Sequence, residues 1–190
     1  MNMKELVLKT RSYRRFNQNV DLNMEELKDL IELARCSGSS FNIQPLKFML
    51  SCDPAKNSLI FPHLHWAAYI KDWGGPSDGE RPAGYIIILG DKRLKDTFGC
   101  DHGIAAQSIM LGATEKGLGG CMIAMVDKPE LSKALSIPEY LEILLVLGLG
   151  KPNETVIIEP IGPSGDIKYW RDHHGIHHVP KRSLDELIIS

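Results

Sequence analysis

The chain has 190 residues, enough for one well-buried core, and its 43% hydrophobic and 24% charged residues exclude a disordered or fibrous protein. Twenty-two Lys and Arg against 24 Asp and Glu leave a net charge of −2, which excludes a global field that would gather nucleic acid or an anionic membrane. Cys36, Cys52, Cys100 and Cys121 form no CxxC pair, and no apolar run approaches the roughly 20 residues of a membrane helix, so a soluble, cytoplasmic, single-domain protein over 1–190 is expected.

The first stretch with chemical content is TRSYRRF (10–16). A hydroxyl beside guanidinium groups, as in Arg11, Ser12 and Arg14, suits phosphate, because the planar guanidinium fork matches phosphate oxygens in two parallel hydrogen bonds. A solvated basic turn would look the same. From Asn23, NMEELKDLIELARCS places Met24, Leu27, Leu30, Ile31 and Ala34 three and four apart, with Asn23 and Glu26 as a capping pair, which predicts a helix with one buried stripe.

GSSFNIQP (38–45) follows, a polar loop in which Ser39, Ser40, Asn42 and Gln44 offer groups that ring the edge of a polar heterocycle, or else a turn that needs Gly and Ser for its backbone. LKFMLSCD (46–53) and GYIIILGD (84–91) read as strands, the second the stronger for its β-branched and aromatic run. Between them KDWGGPSDGERP (71–82) has the Gly, Pro and charge of a loop, with the composition of a mobile one, and Tyr69 and Trp73 are candidates to line a slot there.

DHGIAAQSIMLGATEKGLGG (101–120) reads as a buried helix that places Ile104, Ser108, Leu111 and Glu115 on one face and ends at Gly117. The glycines of KGLGGC (116–121) would let a backbone approach a flat ligand, or simply make a helix stop and a tight turn; their order is not that of a dinucleotide fingerprint. CMIAMV (121–126) is a strand, DKPELSKAL (127–135) a short helix capped by Asp127, and LEILLVLGLG (141–150) a further strand.

The polar segment 152–183 reads as an arm, for which a partner subunit is the natural resting place. It holds RDHHGIHH (171–178), where His173, His174, His177 and His178 suggest metal. Gly175 and Pro180 argue against the helix that would align them, and no Cys or Glu stands within the stretch, so surface or interface histidines are expected and no metal site.

The ordered series TRSYRRF, SSFNIQP, RPAGYIIIL, GIAAQSIMLGATEKGLGGC, LGLGKP and VPKRSLDELI resembles the nitroreductase family of FMN-dependent oxidoreductases over nearly the whole chain. The resemblance implies an α+β fold, a three-layer α-β-α sandwich around a central, mostly antiparallel sheet. It also implies an intertwined homodimer with FMN at the subunit interface, in which 152–190 is a C-terminal arm crossing to the partner.

By the same resemblance Arg11, Ser12 and Arg14 hold the FMN phosphate and the pyrimidine edge of the ring, and Ser39, Ser40 and Asn42 belong to the loop the second subunit contributes. Met122, Ile123 and Ala124 lie beside the ring system, and Lys151, Lys181 and Arg182 are basic positions near the phosphate. The implied reaction is ping-pong: NAD(P)H delivers hydride to flavin N5, leaves, and a flat acceptor such as a nitroaromatic or quinone takes the electrons. No side-chain nucleophile or general base is implied, and the sequence offers no GxSxG or HExxH motif. Two other readings stand beside this one: a non-catalytic FMN-binding protein for storage or sensing, and a histidine-based metal module.

Overall fold

The run GYIIILGD is buried at every position, which is the signature of a strand covered on both faces. In the computed structural model, which describes residues 1–189, it is β3 (Gly84–Asp91), at the centre of the main sheet. β3 pairs antiparallel with β2 (Leu46–Ser51) on one side and with β5 (Leu141–Pro152) on the other. β5 also pairs antiparallel with β4 (Gly119–Ile123) and, at its end, with β1 (Phe16–Asn17).

Two apolar cores lie on the two faces of this sheet. Ile86 and Ile88 of β3, with Leu145, Leu147 and Leu149 of β5, face α2 (Met24–Arg35) and α4 (Asp101–Glu115). Tyr85, Ile87 and Leu89, with Ile143 and Val146, face α3 (Pro54–Ile60) and α5 (Lys128–Ala134). The layers are therefore helix, sheet and helix, as expected for the α+β sandwich. A bulge between Ile88 and Leu89 shifts the register on β5, so that Ile143 and Leu145, two apart, point to opposite cores.

α2 carries the expected capping box between Asn23 and Glu26, and Leu27, Leu30 and Ala34 form its buried stripe. α4 ends as anticipated, with Gly117 in the left-handed region at φ 74°, but its buried face is not the one the sequence suggested. Ala105, Ala106, Ile109, Met110, Gly112 and Ala113 are buried, whereas Ile104 and Glu115 are exposed. The small side chains let α2 come close: a Cβ on Gly112 would meet Leu33 Cδ1 at 2.2 Å. Bulky residues at 104 and 111 thus point away from the packed seam.

The polar C-terminal stretch has more order than an arm. β6 (Val156–Pro160) pairs parallel with β8 (His177–Lys181), and β7 (Trp170–Arg171) pairs antiparallel with β8, making a second, three-stranded sheet before the short α6 (Leu184–Leu187). It lies on the chain's own N-terminal loop, where the Asn153 amide donates to Arg15 O at 2.9 Å. The 71–82 loop is tied there as well, through Phe16 N to Glu80 O at 2.9 Å and through Gln18 Oε1, which accepts from Gly79 N and Arg81 N. No helix among the described residues is long and apolar enough to cross a membrane.

Candidate functional site: a basic cavity between the N-terminal loop and the second sheet

α1 (Met3–Lys9) opens on a capping box between Asn2 and Glu5 and ends at Thr10. The Thr10 hydroxyl donates to Leu6 O at 2.8 Å and bonds Thr114 Oγ1 of α4 at 3.0 Å in the interior. Three residues on, Tyr13 N donates to Gly120 O at 2.9 Å, and Ser12 bridges Gly120. The backbone carrying Arg11, Ser12 and Arg14 is therefore stitched to α4 on one side and to β4 on the other, so these side chains start from fixed positions.

The glycines that open β4 serve this docking. A Cβ on Gly119 would meet the Tyr13 ring at 2.5 Å, and one on Gly120 would meet Leu149 Cδ2 at 2.6 Å and Gly148 O at 2.8 Å. Close approach is indeed their role, but the partner visible in the fold is protein: the N-terminal loop, β5 and the tight turn at Gly117.

Arg11, Ser12 and Arg14 line a cavity of about 350 Å³, together with Gln107 of α4, Met122 of β4 and Lys181 of β8. The Arg11 guanidinium donates to Val7 O at 2.7 Å, while its Nε is buried without a partner; burial holds its pKa below the usual arginine range, and nearby Tyr13 opposes that shift. No carboxylate lines the cavity, so its field is positive. Three cationic side chains, a hydroxyl and an amide are a donor set for a phosphate-bearing ligand.

Arg14 is held on several sides. Its Nη1 donates to His177 Nε2 at 3.1 Å, and its guanidinium lies over the Tyr169 ring at 4.7 Å. Its backbone amide donates to Glu154, which also accepts from Arg15 N at 3.2 Å and from Arg171 Nη2 at 3.1 Å. The C-terminal segment 154–177 thus positions Arg14 through a neutral ring, an aromatic face and a buried carboxylate.

A smaller cavity of about 150 Å³ adjoins, sharing Arg14, Met122 and Tyr169 with the first and bounded by His65–Ala68 and Cys121–Met125. Ile123 and Ala124 belong here. Burial pushes the Cys121 thiol up to about 11, so at neutral pH it is a small apolar wall and not a nucleophile.

Other predicted residues lie elsewhere on the chain. Ser39 Oγ donates to Asp101 Oδ2 at 2.7 Å and Ser40 N to Asp101 Oδ1 at 3.1 Å, while Gln44 Nε2 donates to Asn42 Oδ1 at 3.1 Å. Their loop is wired to a buried Asp101 beside a separate cavity of about 310 Å³. Lys151 Nζ donates to Gly117 O at 3.1 Å, and Arg182 pairs with Glu186 at 3.2 Å. Trp73 lies under the guanidinium groups of Arg15 and Arg171, away from both linings.

Sequence reasoning missed Gln107, Tyr169 and His177. His177 is the correction of most consequence, since it is buried within the chain against Arg14 where a surface or interface histidine was expected. The usable signal was the alternation in IHHVPK: on a strand His177, Val179 and Lys181 share one face, and all three line the cavity. His178 faces the other way, bonded to Glu159 at 2.8 Å and stacked on Trp170. Among the described residues no three His, Cys, Asp or Glu side chains converge as a metal site.

Known proteins share this fold. The chain is 22% identical over 202 residues to the NADPH-flavin oxidoreductase of Vibrio harveyi, covering 97% of the chain and 80% of the relative. It superposes on a nitroreductase family protein from Streptococcus pneumoniae TIGR4 with a TM-score of 0.70 at 16% identity, covering 100% of both chains. An FMN-dependent nitroreductase from Clostridium difficile R20291 gives a TM-score of 0.64 at 25% identity, covering 80% of this chain and 88% of that one. The model of the Nitroreductase family matches residues 7–151, well over half of the sequence, and the chain belongs to the nitroreductase family.

Proposed function

We propose that this protein is an FMN-dependent oxidoreductase that passes electrons from NADH or NADPH to a flat, electrophilic acceptor such as a nitroaromatic or a quinone. The observation that carries the reading is the convergence of Arg11, Ser12, Arg14 and Lys181, from opposite ends of the chain, on one carboxylate-free cavity beside Met122. The names of similar proteins support the same class: an NADPH-flavin oxidoreductase and an FMN-dependent nitroreductase.

When bound, FMN supplies the two-electron chemistry. Arg11, Ser12 and Lys181 hold the phosphate end, and Arg14 faces the polar edge of the ring, where its fixed charge favours the electron-rich reduced form. Met122, Ile123 and Ala124 would give the ring a strand to lie along, and nicotinamide and acceptor would take the open face of the ring in turn. No side chain is asked to act as a nucleophile or base.

The site is completed by a second copy of the chain. In this reading Ser39, Ser40 and Asn42 serve the partner's cofactor, which accounts for their distance from the chain's own Arg11 cluster. Because 154–181 is folded on the chain's own N-terminal loop, the crossing segment is the end of the arm, where Leu184, Leu187, Ile188 and Ile189 are all exposed. Lys151 and Arg182 are then supporting cations at the margin of the phosphate site.

The test is direct. Protein loaded with FMN is titrated anaerobically with NADH and with NADPH while the flavin absorbance is followed. Stoichiometric bleaching, restored by a quinone, is the expected result; bound FMN that neither nucleotide bleaches would replace this reading with storage or sensing.

A further inference from the structure

We propose that His177 is a positioning residue for the flavin: its buried ring takes one N–H of Arg14 and so aims the guanidinium at the polar edge of FMN, where its charge favours the reduced cofactor. The inference rests on the flavin reading above and deepens it. Among the described residues the Arg14 side chain donates two hydrogen bonds, both from Nη1, to Ser12 O at 3.3 Å and to His177 Nε2 at 3.1 Å. Ser12 belongs to the same loop as Arg14 and moves with it. His177, on β8, is the anchor from outside that loop.

Direction is what this anchor adds. Tyr169 also touches the guanidinium, but across the face of its ring at 4.7 Å, a contact that tolerates sliding, whereas a hydrogen bond weakens steeply when bent. With Nη1 held, the rest of the fork is left to the cavity that Arg14 lines beside Met122.

The anchor is fixed and uncharged. His177 is 1% exposed, and β8 is the middle strand of the second sheet, with Val156 opposite His177 on one side and Arg171 on the other. Its amide donates to Thr155 O at 2.8 Å. Burial, followed by the charges of Arg14, Arg171 and His178, opposes protonation of the ring. Glu154 accepts from the Arg14 amide and pairs with Arg171, and among the described residues no carboxylate forms an ion pair with the Arg14 guanidinium. A carboxylate in place of the imidazole would hold Arg14 as firmly but offset its charge; the neutral ring leaves that charge to the ligand.

The experiment is a double-mutant cycle over His177→Leu and Arg14→Ala. Two quantities are measured on each protein: the dissociation constant of oxidised FMN, and the midpoint potential of bound FMN equilibrated anaerobically with a reference dye. His177→Leu should weaken FMN by about threefold to tenfold, the range of one hydrogen bond. It should also lower the potential by about 15–30 mV, the same fold loss in preference for reduced flavin expressed for two electrons. His177→Gln, which keeps a neutral acceptor at the same remove from the backbone, should recover both values. Added to Arg14→Ala, His177→Leu should change neither, because no guanidinium is left to aim.

A merely structural His177 would act alike with Arg14 present or absent, so an effect of His177→Leu that persists undiminished in Arg14→Ala overturns the proposal. So does His177→Leu protein with wild-type affinity and potential, or His177→Gln protein no better than His177→Leu. If His177→Leu does not fold, His177→Met carries the cycle under the same criteria. A wild type that takes up no FMN, or Arg14→Ala protein that holds FMN as the wild type does, would instead refute the flavin reading at Arg14, and the inference with it.

Discussion

Arg14 donates a hydrogen bond across 3.1 Å to Nε2 of His177, 163 residues further along the chain. Arginine has no acceptor, so Nε2 must be the unprotonated nitrogen and the proton sits on Nδ1, which is buried without a partner. Burial, followed by the charges of Arg14 and Arg171, pulls the His177 pKa down to about 4. Its neighbour His178 moves the other way, raised by its bond to Glu159 and held further by Asp172.

These opposite shifts predict opposite pH dependences. The unfolded chain protonates His177 near 6.5 while the folded chain resists until about 4, so its environment favours folding fully above 6.5 and progressively less as pH falls through that window. For His178 the stabilisation is present below 6.5 and is lost as pH rises through its raised folded value. Imidazole proton shifts followed by NMR from pH 4 to 8 should show one resonance static over most of the range and another titrating late. Two coincident midpoints near 6.5 would contradict the assignment.

Glu154 is the buried anchor of the arm, with 2% of its side chain exposed and three donors around it, Arg14 N, Arg15 N and Arg171 Nη2. Glu154→Ala leaves the Arg171 charge buried without its partner and should cost about 3–5 kcal/mol of stability, read as a lower urea midpoint. Glu154→Gln should cost less, since an amide oxygen still accepts one donor. A loss in Glu154→Ala no larger than that of an exposed pair such as Arg182–Glu186 would show that the arm is not tied through this residue.

Gly120→Ala tests the packing role assigned to the last glycine of the KGLGGC motif. The added methyl has Gly148 O at 2.8 Å, a backbone atom that cannot rotate away, besides Leu149 and Met110. Overpacking of this kind costs about 1–3 kcal/mol, and a correspondingly lower melting temperature is expected. Gly103→Ala, where nothing lies within 4 Å of the added carbon, should be neutral or slightly stabilising. Equal effects at the two positions would refute the packing argument.

What the sequence made legible follows from how local each signal was. The Asn23–Glu26 capping box and the buried run at 84–91 are written in contiguous residues, and both appear where expected. The buried face of α4 was misread because Ala105, Ala106, Gly112 and Ala113 carry little hydrophobic weight, although their smallness is what admits α2. The second sheet was read as a polar arm because β6 and β8 are parallel, short and separated by a long excursion, and their alternation holds His and Pro as well as apolar residues. At the site, Arg11, Ser12 and Arg14 were visible as a motif. Tyr169 and His177 were not, since their role exists only once the C-terminal sheet folds back onto Arg14.

In the proposed function the cationic cavity binds FMN through the N-terminal arginines. The most direct measurement is an equilibrium titration of FMN into flavin-free protein, wild type and Arg14→Ala side by side, followed by quenching of flavin fluorescence. Saturable binding at one FMN per chain is expected, weakened by about tenfold or more in Arg14→Ala, as the loss of a charge-assisted contact implies. No saturable binding to the wild type, or an Arg14→Ala isotherm that overlays it, would show that this cavity is not the flavin site.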